Sequence, residues 1–261
     1  MKDIRLPADF RPERKHSFVK GVSVTITVGL LAVVAGVGVA RDSNRVALER
    51  AYAMMDDAES LKVNVASLDD VLSYVKKYQG EMRSSKPKGD CQPSDCMAEM
   101  NVYPSFYMRH TWLIPVIKRA GVQVFEFNVT LWVEDGKLTA VEETFFVPRA
   151  VGADVHVTSM TSNPAERNCR SLSYQLHPGF ITSYQERYGT PEFTYWTNGR
   201  KLQEAPLRPR MNFDCVTTMS GCQSVAQILP SAWAQHQVDV PKIEALQRTT
   251  RAANDSEASC R

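Results

Sequence analysis

The chain has 261 residues, and its 31 lysines and arginines against 29 aspartates and glutamates give a formal net charge of +2 at pH 7. Without the six basic and three acidic residues of positions 1–40, the remaining 221 residues carry 25 basic and 26 acidic side chains. This near-neutral balance argues against a nucleic-acid-binding protein, which would present a basic surface.

The 20 residues from Gly21 to Ala40 contain no charged side chain. As a helix, this run would be about 30 Å long, because each residue adds about 1.5 Å, and that length matches the hydrocarbon core of a bilayer. A helix also satisfies its own backbone hydrogen bonds in lipid. The run therefore predicts a transmembrane helix at 21–40, with a buried core helix or strand as the alternative.

The flanks of the run predict its orientation. Positions 1–20 form a basic tail, and short basic flanks stay on the cytoplasmic side of a membrane. We therefore expect a single-pass membrane protein with a cytoplasmic N-terminus and its C-terminal part outside, in the periplasm or the extracellular space. The alternative to an uncleaved anchor is a signal peptide cut after Ala40, since Gly38 and Ala40 are small enough for a signal peptidase. Small residues at four-residue spacing would allow a homodimer through Ala32, Gly36 and Ala40.

All six cysteines follow the apolar run, as Cys91, Cys96, Cys169, Cys215, Cys222 and Cys260. An even number of cysteines in an exported domain is typical of disulfides. Cys91–Cys96 and Cys215–Cys222 are the simplest local pairs, which leaves Cys169 and Cys260. A zinc site is the alternative, but these spacings are looser than those of metal knuckles and no histidine stands beside them. We expect neither a metal nor a cofactor.

Helical periodicity is clearest soon after the apolar run. Positions 41–66 predict a helical stalk. Ser67 and Asp70 then stand three residues apart, where an N-cap and an acidic first turn are favourable. Apolar residues follow at helical spacing, so we predict a helix that begins at Leu68.

The clearest strand signal is a pair of alternating segments, 122–133 and 137–147, that flank a turn at 134–136. A two-residue turn would place Glu142 on the apolar face, and a three-residue loop with a bulge would place Glu143 there instead. We prefer the three-residue loop.

Later segments give weaker signals of both kinds. Strands are predicted at 154–160 and 211–215, and a second hairpin is predicted around Asn198-Gly199. Residues 224–237 predict a helix that breaks near Pro230, and 239–251 a short terminal helix. Strands in runs with helices towards the ends predict an α+β fold around an antiparallel sheet with a few flanking helices.

The predicted organisation has five parts. They are a cytoplasmic basic tail at 1–20, a transmembrane anchor at 21–40, a juxtamembrane helical stalk at 41–66, an exported α+β domain at 67–250 and a polar tail at 251–261.

The sequence contains no catalytic, phosphate-binding or calcium-binding motif. Glu142 and Glu143 alternate across a strand, so they face opposite ways and cannot act as an acid–base pair. His156 is expected to be an exposed or locally hydrogen-bonded strand residue, with a metal ligand or a general base as the alternative. One basic cluster stands beside aromatic residues and predicts contact with lipid head groups or a partner, with a solvated edge as the alternative: Arg109, His110, Lys118 and Arg119.

These features predict a membrane-anchored domain that acts outside the cytoplasm by binding or scaffolding in the cell envelope, and not as an enzyme. Its expected partners are the lipid bilayer and an envelope protein, and not nucleic acid. One alternative is an envelope enzyme of the hydrolase type, which would show a deep pocket holding His110 or His177 beside a carboxylate. The other is a lipid-binding domain with a continuous apolar cavity between sheet and helix.

Overall fold

The computed structural model describes residues 14–84, 91–92, 94–148, 154–162, 180–187, 190–198, 209–218 and 220–252, and the side chains of the first helix from Thr27 onwards. The helices are α1 Arg14–Ser60, α2 Leu68–Tyr78, α3 Ser105–Arg109, α4 Ile114–Arg119, α5 Val225–Ile228 and α6 Pro230–Ala252. The strands are β1 Glu81–Arg83, β2 Cys96–Val102, β3 Glu126–Glu134, β4 Lys137–Val147, β5 Val155–Ser162, β6 Phe180–Arg187 and β7 Thr190–Asn198. Short 3₁₀ turns lie at Thr111–Leu113 and Asp214–Thr217.

The described strands form one sheet in the order β1-β2-β3-β4-β5-β7-β6. The α+β prediction is therefore confirmed. The expected antiparallel sheet is mixed instead, because β7, the second strand of the β6–β7 hairpin, lies beside β5 and runs parallel to it. β7 ends at Asn198, and Gly199 and the second strand of the hairpin predicted around Asn198-Gly199 lie outside the described residues.

The β3–β4 hairpin closes with a two-residue turn rather than the expected three-residue loop. Asp135 and Gly136 both have positive φ, at 51° and 73°, which is the backbone of a tight turn that matches strand twist. A bulge near the turn adds Thr139 to β4 and shifts the register by one residue. The shift puts Glu143 on the buried face and Glu142 on the other, which is the facing that the sequence analysis preferred.

Helices and loops cover one face of the sheet and bury its apolar side chains. The aromatic centre of this core is Phe213, whose ring centroid lies 4.6 Å from that of Phe145, 4.9 Å from that of Tyr52 and 5.1 Å from that of Phe127. These contacts join α1, β3 and β4. The predicted strand at 211–215 is wrong, because Phe213 sits in irregular backbone just before a 3₁₀ turn.

The predicted helix at Leu68 is confirmed as α2. Ser67 and Asp70 form a capping box, in which each side chain accepts a hydrogen bond from the other residue's backbone N–H. The predicted helix break near Pro230 is also found, between α5 and α6. Beyond it, α6 continues through residue 238, so the two predicted terminal helices are one.

The chain divides into two compact units, Met1–Val39 and Ala40–Arg261. In the second unit, α1 contributes Ala47, Ala51, Met55 and Ala58 to the buried core. The segment predicted as a stalk is therefore part of the domain, because its small residues pack in the core. Ala40, one of the three residues of the predicted homodimer contact, is completely buried, and the homodimer stays a prediction. Among the described residues, no helix meets the length and hydropathy that a membrane span requires.

Two disulfides join the local cysteine pairs that the sequence predicts. Cys91 is bonded to Cys96 at the start of β2, and Cys215 is bonded to Cys222 beside α5, with Cα–Cα distances of 4.7 and 4.8 Å. Each closes a short loop, so chain entropy gives each a stabilisation of about 2 kcal/mol. Cys169 and Cys260 lie outside the described residues.

We expect Phe213→Ala to lower the free energy of unfolding by about 3–5 kcal/mol, because it leaves a cavity among three aromatic rings. Denaturant unfolding followed by near-ultraviolet circular dichroism measures this. Val65→Ala is the control, since Val65 is one of the most exposed aliphatic side chains and its loss should cost less than about 0.5 kcal/mol. Equal effects of the two substitutions would contradict the central position of Phe213.

Candidate functional site

The sheet face that points away from the core carries short polar side chains in a continuous row. Side chains alternate between faces along a strand, and the register brings one polar residue from each of five adjacent strands into line: Asn101, Asn128, Thr144, Thr158 and Thr194. A second row runs beside it through Glu99, Thr130 and Glu142. We call these eight residues the polar face.

Hydrogen bonds between side chains order one side of the polar face. Asn128 Nδ2 donates to Asn101 Oδ1 at 2.6 Å and to Glu99 Oε1 at 3.1 Å. Thr130 Oγ1 donates to Asn128 Oδ1 at 2.8 Å. Cross-strand bonds of this kind hold donors and acceptors at fixed positions, so this surface is suited to recognising a polar ligand by hydrogen bonds.

The centre of the polar face carries a carboxyl group with altered acidity. Burial raises the pKa of Glu142, and a hydrogen bond from Thr144 and the nearby His156 oppose that rise. His156 Nδ1 lies 3.7 Å from Glu192 Oε1. Glu99 and Glu142 are the two acidic side chains among the eight residues of the polar face.

The two adjacent glutamates lie on opposite faces, as the sequence analysis expected. Glu143 is 1 % exposed on the core side, and Glu142 is half-buried on the polar face. His156 also points away from the core-facing Val155 and Val157, although it is half-buried rather than fully exposed. The facing of these residues follows from the β period alone.

The predicted basic cluster lies in the α3–α4 segment, which we define as residues 103–119. Arg109 and Arg119 are exposed at the ends of α3 and α4, and Lys118 is half-buried. His110 packs against Phe106 with ring centroids 4.9 Å apart. Within the described residues, no hydrogen bond or ion pair joins these four to one another, so they share a segment rather than a contact.

The same segment exposes apolar side chains whose hydrophobicity favours burial. Trp112 is 73 % exposed, and Tyr103 and Val116 are 45 % and 44 % exposed. Trp112 and Val116 are four residues apart along consecutive helical turns, so they lie on the same side. Two prolines interrupt the hydrophobic period here, so periodicity cannot separate the exposed apolar residues from the buried ones.

An apolar cavity of about 310 Å³ lies between the α3–α4 segment and the end of the sheet. Its lining includes Tyr103, Tyr107, Ile114 and Phe146, with Glu126 as a charged member. It sits at the start of β3 and the end of β4. This position differs from the continuous cavity between sheet and helix that a lipid carrier would need.

The best nucleophile–base pair in the described residues was not found from the sequence. Thr182 Oγ1 of β6 and His236 Nδ1 of α6 are 3.0 Å apart. Asp239, one turn further along α6, is completely buried and accepts hydrogen bonds from Gln235. These residues are more than 50 positions apart in sequence, and no local motif marks them.

Burial makes this pair structural rather than catalytic. Thr182 and His236 are both buried, and the rings of Tyr184, Phe193 and Trp233 lie within 6.3 Å of the His236 ring. A general base needs access to a substrate proton, whereas this histidine ties α6 to β6. His110 lines no part of the cavity described above, and His177 lies outside the described residues. In the part of the chain that the structure describes, no group of three potential metal ligands occurs.

Comparison with known proteins gives no relative from which a function could be transferred. No family model, no curated protein and no solved structure matches the chain. The function must therefore be inferred from the surfaces described above.

The buried histidine predicts a pH dependence of stability. Burial lowers the pKa of His236 below its ordinary value of 6.5, and Asp239 opposes this only in part. The unfolded chain therefore binds a proton more readily than the folded chain, so His236 contributes full stability above about pH 6.5 and less as the pH falls.

We expect His236→Gln to reduce the loss of thermal stability between neutral pH and pH 5, because glutamine keeps a polar contact with Thr182 and does not titrate. The melting temperature at each pH measures this, with His110→Gln as the control for removing a histidine elsewhere. An unchanged pH profile in His236→Gln would show that this imidazole does not govern acid stability.

Proposed function

We propose that this chain is a single-span membrane protein whose α+β domain lies outside the cytoplasm and binds an envelope protein. The uncharged run Gly21–Ala40 supports the anchor. Apolar side chains of α1 in this run that the structure describes are 50–66 % exposed, namely Val28, Leu30, Leu31, Val33, Val34 and Val39. Lipid would remove this apolar surface from water at about 25 cal/mol per Å².

The basic tail and the disulfides support the orientation. A basic flank before a span favours a cytoplasmic N-terminus, and disulfides persist in oxidising compartments. A cut after Ala40 would fall inside α1, which continues to Ser60. We therefore favour an uncleaved anchor over a signal peptide.

The observation that carries the binding function is the polar face. It crosses five strands, Asn128 on one side of it is fixed by hydrogen bonds to three neighbouring residues, and it includes half-buried Glu142. A surface of this kind provides directional hydrogen bonds to a partner without a pocket for a reacting bond. The enzyme alternative would rest on Thr182 and His236, and their burial makes it the weaker proposal.

We expect both described disulfides to be closed in the native cell. Peptide mapping of unreduced, alkylated protein from its native membrane should recover Cys91 linked to Cys96 and Cys215 linked to Cys222. A reduced sample is the control for complete peptide recovery. Four alkylated thiols at these positions in the unreduced sample would place the domain in a reducing compartment and overturn the proposed orientation.

We expect photo-crosslinking in living cells to trap the same partner at two positions of the polar face. A benzophenone side chain replaces Asn101 in one variant and Thr130 in another, since both residues are at least partly exposed. Leu72 on the solvent side of α2 is the control position, because it is 42 % exposed.

One adduct of equal mass at Asn101 and Thr130, and its absence at Leu72, is the expected result. Adding Asn128→Lys to either variant should abolish that adduct, because it disrupts the hydrogen bonds that order this side of the polar face. No adduct at the polar face, or the same adduct at all three positions, would contradict binding through this surface.

A further inference from the structure

The α3–α4 segment carries an unusual combination of exposed groups. Trp112 is the most exposed large hydrophobic side chain in the described part of the chain, and Val116 adds apolar surface on the same side. Tyr103 extends this surface and also lines the apolar cavity. Tryptophan buries a large area when it is covered, so leaving it in water is unfavourable unless something else covers it.

Cationic side chains flank this apolar surface. Arg109 ends α3, and Lys118 and Arg119 form the last turn of α4. Within the described residues, none of the three takes part in an ion pair. Glu126, on the far side of the cavity, is the carboxylate among the cavity-lining residues. Lys118 and Arg119 are favourable at the C-terminal end of α4, because that end of the helix dipole is negative. This accounts for their position in the helix but not for the exposed tryptophan beside them.

Hydrogen bonds fasten this region to α1 just after the uncharged run. The backbone N–H of Phe106 donates to Ser43 Oγ at 3.2 Å. Asn44 Nδ2 donates to the carbonyl of Gln123, shortly after α4, at 2.6 Å. Ser43 and Asn44 lie three and four residues after Ala40, which is about 5–6 Å along a helix axis.

The chain between Ala40 and Ser43 can span at most about 11 Å, so the segment stays near the end of the run. If Gly21–Ala40 spans the hydrocarbon core, residues that close to its end lie in or beside the lipid head groups. Tryptophan favours that depth because its ring is amphipathic, and arginine and lysine beside it attract anionic lipids.

We propose that the α3–α4 segment is a membrane-contacting surface, with Trp112 and Val116 in the head-group region and Arg109, Lys118 and Arg119 on anionic lipid phosphates. This inference rests on the proposed anchor and orientation. It assigns to lipid the surface next to α1, and leaves the polar face to the protein partner.

Lipid-dependent quenching of tryptophan fluorescence tests the proposal on the full-length protein. The protein is reconstituted into phosphatidylcholine vesicles with and without phosphatidylglycerol, in which some lipids carry bromine near the head-group end of the acyl chain. The difference in emission between the unsubstituted protein and Trp112→Phe is the Trp112 signal. Phenylalanine is tolerated there because the side chain is mostly exposed, and an unchanged melting temperature verifies this.

The expected result is that brominated lipid quenches the Trp112 signal, that aqueous acrylamide quenches it poorly, and that phosphatidylglycerol increases the lipid quenching. The double variant Arg109→Gln/Arg119→Gln should lose the increase caused by phosphatidylglycerol. Lys76→Gln, on an exposed position of α2, is the control for losing a cation and should keep it.

A Trp112 signal that acrylamide quenches fully and brominated lipid does not would overturn the proposal. A second result would also overturn it: brominated lipid does not quench the Trp112 signal, and Trp112 is shielded from acrylamide in native membranes but not in vesicles. That result would indicate a protein partner. Flotation of the vesicles separates this failure from failure of the anchor. Protein that floats with the vesicles without Trp112 quenching retains the anchor and loses only the interfacial contact, whereas protein that does not float has no anchor.

Discussion

The packing of Phe213 against the inner face of the sheet organises the domain. Its ring stacks on Phe145 and touches Tyr52 and Phe127, and its backbone N–H donates to the Tyr52 hydroxyl at 2.9 Å. Tyr52 in turn donates to Asp214 at 3.1 Å. These contacts hold the irregular backbone around Phe213 against α1, so residues from both ends of the domain contribute to the core. With that face of the sheet closed, the recognition that we propose would use the other face or the ends of the strands.

Helix α1 shows how one element can be suited to two environments. Its later part presents small residues, Ala47, Ala51 and Ala58, that let the helix lie close in the core. Its described residues before Ala40 expose large aliphatic side chains instead. A soluble helix keeps one apolar stripe and one polar face, and residues 28–39 do not follow that pattern. The change of side-chain size along one continuous helix is the physical basis for proposing two surroundings, core and lipid.

The sequence predicted the features that depend on neighbouring residues. The capping box at Ser67 and the local disulfides are short-range effects, and the facing of Glu142 and Glu143 follows from the strand period. The sequence predicted a bulge within a three-residue loop and not a two-residue turn with a bulge at Thr139, because both arrangements put Glu143 on the buried face. Phe213 looked like a strand residue because only its distant aromatic partners define its place. The Thr182–His236 contact was missed for the same reason, since its residues meet only through the tertiary fold.

The distribution of chemical groups favours recognition over reaction. The nucleophile and base that approach each other, Thr182 and His236, lie under aromatic rings, and Glu143 is sealed in the core. Among the described residues, the groups that are at least partly exposed include the amides, the carboxylates and all hydroxyls but that of Thr158 on the polar face, and an indole with cations on the α3–α4 segment. An enzyme needs reactive groups where a substrate can reach them, and a binding domain needs ordered polar groups at its surface. Within the described residues, the nucleophile–base pair is buried and most of the ordered polar groups are at least partly exposed, which is why we propose surface recognition rather than reaction.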